Sequence, residues 1–255
     1  MEDLDTARTV PGAAELILRQ LESLGFWWDG PVLYQSRRLP LYEAALSALA
    51  RRDDLYACSC SRRDLGASDD LGGYPGHCRQ GPRQSGPTAW RLRADRYPLE
   101  PFVDAVLGER LGSEGAGGDP IVRRRDGVFA YQLAVVVDDA ASGITHVVRG
   151  ADLLASTAWQ RALQRALNLP TPAYAHIPLL LDGQGRKVSK STQALDQPLR
   201  AGAAVLHQVL TLLRHAPPAS LIGAPVGALW DWSLAHWSIG RLRGVGYLAL
   251  DARVD

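Results

Sequence analysis

The sequence predicts an α/β fold built around a parallel sheet. Apolar runs of strand character alternate with stretches of helical period along most of the chain. A polar, glycine-rich stretch from Ser61 to Pro87 breaks that alternation and marks an insertion. After Ser191 the remaining 64 residues read as helical.

The first element is a helix over Pro11–Leu24, with proline near its first turn, Gly25 as its stop, and Leu16, Ile17, Leu21 and Leu24 as its apolar face. A second helix fits Arg38–Arg51, with Ser36 at its N-cap. "LYACSC" is a short strand that leads into a cysteine loop, and "TAWRLRA" alternates like another strand. Residues 111–120, "LGSEGAGGDP", form a loop. "VFAYQLAVVVDD" and "GITHVVRG" read as strands around a turn at Asp139–Gly143. "STAWQRALQRALNL" is an amphipathic helix capped by Ser156. "HIPLLL" is a buried strand and "DGQG" a tight turn. In the tail, Trp230 and Trp237 lie seven residues apart, on one helix face, as core packing.

Composition excludes several functions. The 255 residues carry a net charge of +1, so no global basic field marks a nucleic-acid binder. Any RNA contact is local, and the runs Arg37–Arg38, Arg51–Arg52, Arg62–Arg63 and Arg123–Arg125 could supply it. No apolar run is long enough to span a membrane, and "MEDLDTARTV" lacks the regions of a signal peptide, which makes the cytoplasm the default location. Three cysteines argue against a disulfide framework.

Two clusters carry chemistry. Lys187 and Lys190 are the only lysines; the other 26 basic residues are arginine. Both lie in "GRKVSKS", after a strand and a glycine turn. Lysine offers a compact point charge on a flexible stem where arginine offers a planar fork. Such a loop suits negative charge that builds on departing pyrophosphate when ATP is split, and Ser189 and Ser191 add short donors. The second cluster is Cys58, Cys60 and Cys78, three thiols within 21 residues of sequence that has little apolar content. A structural zinc with four tetrahedral ligands would organise it; three reduced, buried cysteines are the alternative. His77 is the conventional fourth ligand, although its adjacency to Cys78 counts against it.

"KVSKS" resembles the Lys-Met-Ser-Lys-Ser signature of class I aminoacyl-tRNA synthetases, with Val188 in place of Met. "EDLDTAR" at Glu2–Arg8, "LGFWWDG" at Leu24–Gly30, "YQS" at Tyr34–Ser36, "FAYQLAVVVDDA" at Phe129–Ala140 and "VVRGADLLASTAWQ" at Val147–Gln160 resemble the glutamyl branch of that class. The resemblance runs from residue 2 to about 195. It is nearest to the short members without an anticodon-binding domain, which glutamylate the queuosine base in the anticodon of tRNA(Asp).

It implies a Rossmann-like catalytic domain, N-terminally incomplete, with a zinc-bearing insertion and a short helical C-terminal part. The first half of the catalytic domain then spans 1–57, the insertion 58–120, the second half 121–195 and the helical region 196–255. Glu2 would contact the amino group of bound glutamate, Tyr131 would line the amino-acid pocket and Arg149 would pair with the substrate carboxylate. Lys190 and Lys187, with Ser189, would face the phosphates of ATP, which would bring Mg²⁺ with it. The resemblance makes Tyr74, through its phenolate oxygen, the fourth zinc ligand beside Cys58, Cys60 and Cys78. Glutamate, ATP and queuosine-bearing tRNA(Asp) are the implied partners of a monomer with no membrane contact.

The family's His-x-Gly-His-like nucleotide signature, which precedes "EDLD", is found nowhere in the chain. Met1 stands where the family has Val or Ile. The expectation is a mis-assigned start at a GTG codon with the signature upstream; a real truncation is the rival. Three functions follow: glutamylation of queuosine, ordinary charging of tRNA(Glu), for which the tail is short, or a zinc-stabilised, inactive remnant that binds RNA or a partner.

Overall fold

A computed structural model describes residues 1–61, 64, 74–112, 117–188 and 202–249. In chain order the elements are α1 (Ala13–Ser23), α2 (Leu39–Arg51), β1 (Leu55–Cys58), β2 (Ala89–Leu92), β3 (Phe102–Asp104), β4 (Gly108–Arg110), β5 (Ile121–Arg123), α3 (Tyr131–Ala141), β6 (His146–Gly150), α4 (Leu154–Leu167), β7 (Ala173–Ile177), β8 (Leu179–Leu181), α5 (Gly202–Leu212), α6 (Val226–His236) and β9 (Tyr247–Ala249), joined by short 3-10 turns. The strands form sheets of order β1-β2-β5, β4-β3-β7-β6 and β8-β9. The β3–β7 and β8–β9 pairs are parallel, as expected of an α/β chain. The β1–β2 and β2–β5 pairs are antiparallel, which the expected parallel sheet did not include.

The chain forms two compact units. The first holds residues 1–7, 33–104 and 109–175. Its core is built by helix faces laid on the antiparallel sheet. Tyr42, Leu46 and Leu49 come from α2, Leu133, Ala134 and Val136 from α3, and Ala162, Leu163 and Ala166 from α4; Leu55, Leu92 and Val122 come from the strands. Tyr42 meets Phe129 edge-on at 5.5 Å between ring centres. Each large apolar side chain buried in this way contributes about 1.5–3 kcal/mol.

The second unit holds residues 8–32, 105–108 and 176–255. Leu206, Leu210 and Leu229 of α5 and α6 form its cluster, with Leu24, Val226 and Trp230 against them. Gly25 ends α1 at φ +76°. A side chain there would also strike Val226 Cγ1 at 2.8 Å and Trp230 Nε1 at 2.9 Å. The indole of Trp230 donates to the carbonyl of Leu24.

Several sequence expectations are corrected. "VFAYQLAVVVDD" is not a strand but contains α3, because its apolar residues recur at helical spacing and meet α2 and α4. Burial overrides the strand preference of its three consecutive valines. Ser36 caps no helix; its hydroxyl and backbone N–H donate to Asp3, and Arg38 occupies the N-cap of α2 without a side-chain bond. Ser156 lies inside α4. "HIPLLL" is split into β7 and β8 at Pro178, which has no N–H for a ladder. Leu16 and Ile17 are exposed. Trp237 follows α6 in extended backbone, so it shares no helix face with Trp230; it stacks on His215 at 4.3 Å. The tail is not wholly helical, since β9 pairs with β8. Among the described residues, no helix is long and apolar enough to cross a membrane.

Candidate active site and metal centre

The first unit contains a cavity of about 510 Å³ whose wall includes Glu2, Gln35, Tyr131 and Gln132 at one part, and Tyr74, Arg91 and Asp119 at another. Tyr131 is the first residue of α3 and Arg149 lies near the end of β6. Burial raises the Tyr131 phenol above its ordinary value; Arg149 opposes the shift and Glu2 adds to it, so the three groups share one electrostatic neighbourhood. Glu2 and Tyr131, distant in sequence, line one cavity, and Arg149 lies within electrostatic reach of Tyr131.

Helix α4 fixes Arg149. One guanidinium nitrogen donates to Gln160 Oε1 at 2.7 Å, and the other to Thr157 Oγ1 at 2.7 Å and to the carbonyl of Leu153 at 3.3 Å. Gln160 Nε2 donates to Gln132 Oε1 at 2.9 Å, and Gln132 Nε2 donates to Ser156 Oγ at 3.0 Å. Thr157, Gln160, Arg161 and Gln164 are all buried. Their spacing of three and four residues forms a polar stripe along one side of the helix. Sequence reading passed over that stripe, although its periodicity was the available signal. Asp139 of α3 also feels Arg149, but burial and the neighbouring Asp138 hold its carboxyl above the usual range.

The cysteine loop is the second constellation. The sulfur atoms of Cys58, Cys60 and Cys78 lie within 4.8 Å of one another. Zinc–sulfur bonds of about 2.3 Å on a tetrahedron place sulfurs about 3.8 Å apart; Cys60 and Cys78 are 3.6 Å apart. The Tyr74 hydroxyl lies 3.4 Å from Cys58 Sγ and 3.6 Å from Cys60 Sγ. It accepts the Cys78 N–H at 2.7 Å. His77 is exposed instead, with its ring centre 6.1 Å from that of Tyr74. The donor set suits a tetrahedral metal. Burial pushes the Cys78 thiol up, but hydrogen bonds from Tyr74 and from the Ser59 and Arg83 backbone outweigh it and bring it to about 6. Burial carries the Cys60 thiol up to about 11.

Asp119, 1% exposed, ties this loop to the sheet. Its carboxylate accepts from Tyr56 at 2.6 Å, from both forks of Arg79 at 2.6 and 2.8 Å, and from the Ala94 N–H at 2.9 Å. Arg91 donates to its carbonyl and lies 3.8 Å over the Tyr74 ring. Gly118 has φ +73°, and a Cβ there would sit 1.9 Å from the Tyr74 carbonyl oxygen. Only glycine permits that approach.

In the second unit the lysine loop follows β8. Asp182 accepts the Gly185 N–H on its carbonyl at 2.9 Å, and the N–H groups of Gln184 and Arg186 on its carboxylate. The tight turn returns Lys187 to an antiparallel bridge with Leu181, where Lys187 is exposed. Ser189 and Lys190 lie outside the described residues.

Residues 1–201 match the family described as class I tRNA synthetases (E and Q), catalytic domain. The glutamyl-Q tRNA(Asp) synthetase of Thiobacillus denitrificans is 49% identical over 246 residues, covering 94% of this chain and 81% of that protein. Its counterparts in Aromatoleum aromaticum and Chromobacterium violaceum are each 46% identical, covering 94% and 95% of this chain and 77% and 82% of theirs. Among solved structures, the glutamate–tRNA synthetase of Elizabethkingia anophelis superimposes with a TM-score of 0.73 at 21% identity, covering 98% of this chain. A glutamate–tRNA ligase of Elizabethkingia meningosepticum, in complex with its amino acid, gives 0.71 at 21% identity and 99% coverage. The chain spans 60% of the length of each of these two structures. At that identity they speak to the fold.

Proposed function

The chain belongs to the class I tRNA synthetases of the glutamate and glutamine branch, and on that premise we propose that it activates glutamate with ATP and transfers it to the queuosine base of tRNA(Asp). The observation that carries this reading is the likeness, along almost the whole chain, to glutamyl-Q tRNA(Asp) synthetases. The shared cavity of Glu2 and Tyr131, with Arg149 in electrostatic reach of Tyr131, supports an amino-acid site there.

The chemistry needs no covalent enzyme intermediate. An α-carboxylate oxygen of glutamate attacks the α-phosphorus of ATP, and pyrophosphate leaves. A queuosine hydroxyl then attacks the carbonyl of the glutamyl-adenylate; the ester forms, AMP leaves and the hydroxyl proton passes to solvent. Positioning and electrostatics supply the acceleration. Glu2 holds the substrate ammonium and Tyr131 lines the pocket. An arginine fork on the reacting carboxylate would blunt its nucleophilicity, so Arg149 is assigned to the side-chain carboxylate. Lys187, Ser189 and Lys190 act on the ATP phosphates, which travel with Mg²⁺. The fit of the donor set supports a structural zinc on Cys58, Cys60, Cys78 and Tyr74, which would brace a loop with little apolar core.

A charging assay with labelled glutamate tests the reading. Label is expected on tRNA(Asp) that bears queuosine and on neither queuosine-free tRNA(Asp) nor tRNA(Glu). Label at the 3′ end of tRNA(Glu), or none anywhere, overturns it. Elemental analysis of the purified chain is expected to find about one zinc per chain, lost in Cys78→Ser; a metal-free chain of unchanged stability removes the zinc assignment.

A further inference from the structure

We infer that the turns after α5 and α6 form an RNA-contact surface, with Trp237 as the stacking platform for an unpaired base of the tRNA and Arg214, Arg241 and Arg243 as its phosphate contacts. The inference rests on the reading that a tRNA is the acceptor, and it assigns residues to that contact.

Two segments of the second unit build the surface: the turn at 213–216, which closes α5, and the stretch 237–243, which follows α6. In the first, Arg214 and Ala216 take φ +63° and +42°, a region that residues other than glycine rarely enter. His215 stands between them, 2% exposed. The Ser238 N–H can only donate, so His215 Nε2 accepts it at 3.0 Å, and Nδ1 carries the proton that goes to the Leu213 carbonyl at 2.6 Å. Both ring nitrogens are engaged, so the imidazole is held in one orientation. Trp237 lies on it at 4.3 Å between ring centres, with the planes 5° apart. Trp237 is nevertheless 46% exposed. One face of the indole is braced from below, and much of the rest is open to solvent. Its neighbour His236 is exposed as well and stacks on Trp232 at 4.5 Å. A tryptophan that served only as core would be covered on both faces. A braced and open one suits an aromatic ring that arrives from outside.

The charge around it has one sign. From Gly202 to Ala249 the chain carries Arg214, Arg241 and Arg243 against a single acidic residue, Asp231. All three arginines are exposed. Arg241 donates to the carbonyl of Arg214 at 3.0 Å, which draws the two segments together through an uncharged acceptor. Among the described residues none of the three arginines forms an ion pair. The arginine runs that sequence reading offered for RNA differ in this respect: Arg38 pairs with Asp138, Arg123 with Glu43 and Arg124 with Asp5. Exposed guanidinium groups beside an open aromatic face match unpaired RNA, which presents phosphates and base faces together. An acidic protein segment would engage the arginines and leave the indole unused.

The test is fluorescence anisotropy of labelled, queuosine-bearing tRNA(Asp) titrated with the full chain, with Trp237→Ala and with Arg241→Gln/Arg243→Gln, each at several salt concentrations. Trp237→Ala is expected to weaken binding on the order of 5- to 100-fold and to leave the salt dependence as it is. The arginine variant is expected to flatten the slope of log affinity against log salt by about 1 to 2. Glutamate-dependent pyrophosphate exchange is expected to hold in both, since neither change falls in the amino-acid site. Should Trp237→Ala fail to fold, Trp237→Leu keeps an apolar cover over His215 without a π-face, and the same loss of binding is expected. Parent-like binding in the Trp237 variant overturns the inference, as does an unchanged salt slope in the arginine variant; glutamylation of queuosine-bearing tRNA(Asp) by the parent chain would then leave the proposed function standing. Loss of pyrophosphate exchange in step with tRNA binding would trace both to damage of the fold and also overturn the inference. A parent chain that binds no tRNA overturns the inference and the proposed function together.

Discussion

Asp119 and Asp138 both gather hydrogen bonds around a carboxylate, but they stand in regions held together differently. Asp119 collects donors from three separate segments: Tyr56 on β1, Arg79 in the cysteine loop and Ala94 beyond β2. Behind it lies a cluster of sulfur and tyrosine, Cys58, Cys78, Tyr56 and Tyr74, in place of an aliphatic core. Asp138 collects Gln35, Arg38 and Tyr42, all from one continuous stretch entering α2. Behind it stands the main core of the unit, with Leu133, Ala134 and Val136 on the same helix. Where apolar burial is plentiful, a polar hub refines a packing already determined. Where it is scarce, the hub is a principal tie between segments.

The strongest break in that comparison is Asp119→Ala. It strands a buried tyrosine hydroxyl and an arginine fork, for an expected loss of about 3–5 kcal/mol. Urea unfolding would read it, and metal content is expected to fall in parallel because the cysteine loop loses its anchor. Asp138→Ala is the matched experiment. Its ion pair with Arg38 is 18% exposed on each side, so water can take over part of the bonding. The expected cost is about 1–2 kcal/mol, with metal content unchanged. Equal losses at the two sites would refute the contrast.

The same contrast explains what the sequence made legible. The cysteine cluster could be read because three thiols in a polar stretch have few other uses, and the structure brings the three sulfurs together. The α/β class could be read from alternation. Helix α3 could not, because Val135, Val136 and Val137 carry strand preference while the deciding term is packing against α2 and α4, which lie elsewhere in the chain. Ser36 and Ser156 were misread for a related reason. Both are good capping residues, but each is engaged by a residue distant in sequence, Asp3 or Gln132. The Gln132–Gln160 link joins two helices and leaves no local mark beyond the polar stripe on α4. The lysine pair was visible by composition alone, as the only lysines in the chain.

Asp3 extends the series to the smallest expected effect. Among the described residues its carboxylate takes side-chain bonds from one partner, accepting from the Ser36 N–H at 2.9 Å and the Ser36 hydroxyl at 2.6 Å. Partial burial would raise its carboxyl, but the two Ser36 bonds outweigh that and leave it below the usual carboxylate value. A carboxyl with a depressed folded-state pKa adds stability that is present above its unfolded value of about 3.9 and lost as pH falls through the folded value. Asp3→Asn should therefore cost under about 1 kcal/mol at neutral pH, and the difference from the parent chain should narrow as pH drops below about 4. Urea midpoints of the two chains at pH 5 and pH 3 measure this directly. A gap that stays constant with pH would mean that Asp3 acts through shape alone; a gap that closes assigns its contribution to the ionised carboxylate, the same interaction that Asp119 makes from a buried position with three segments depending on it.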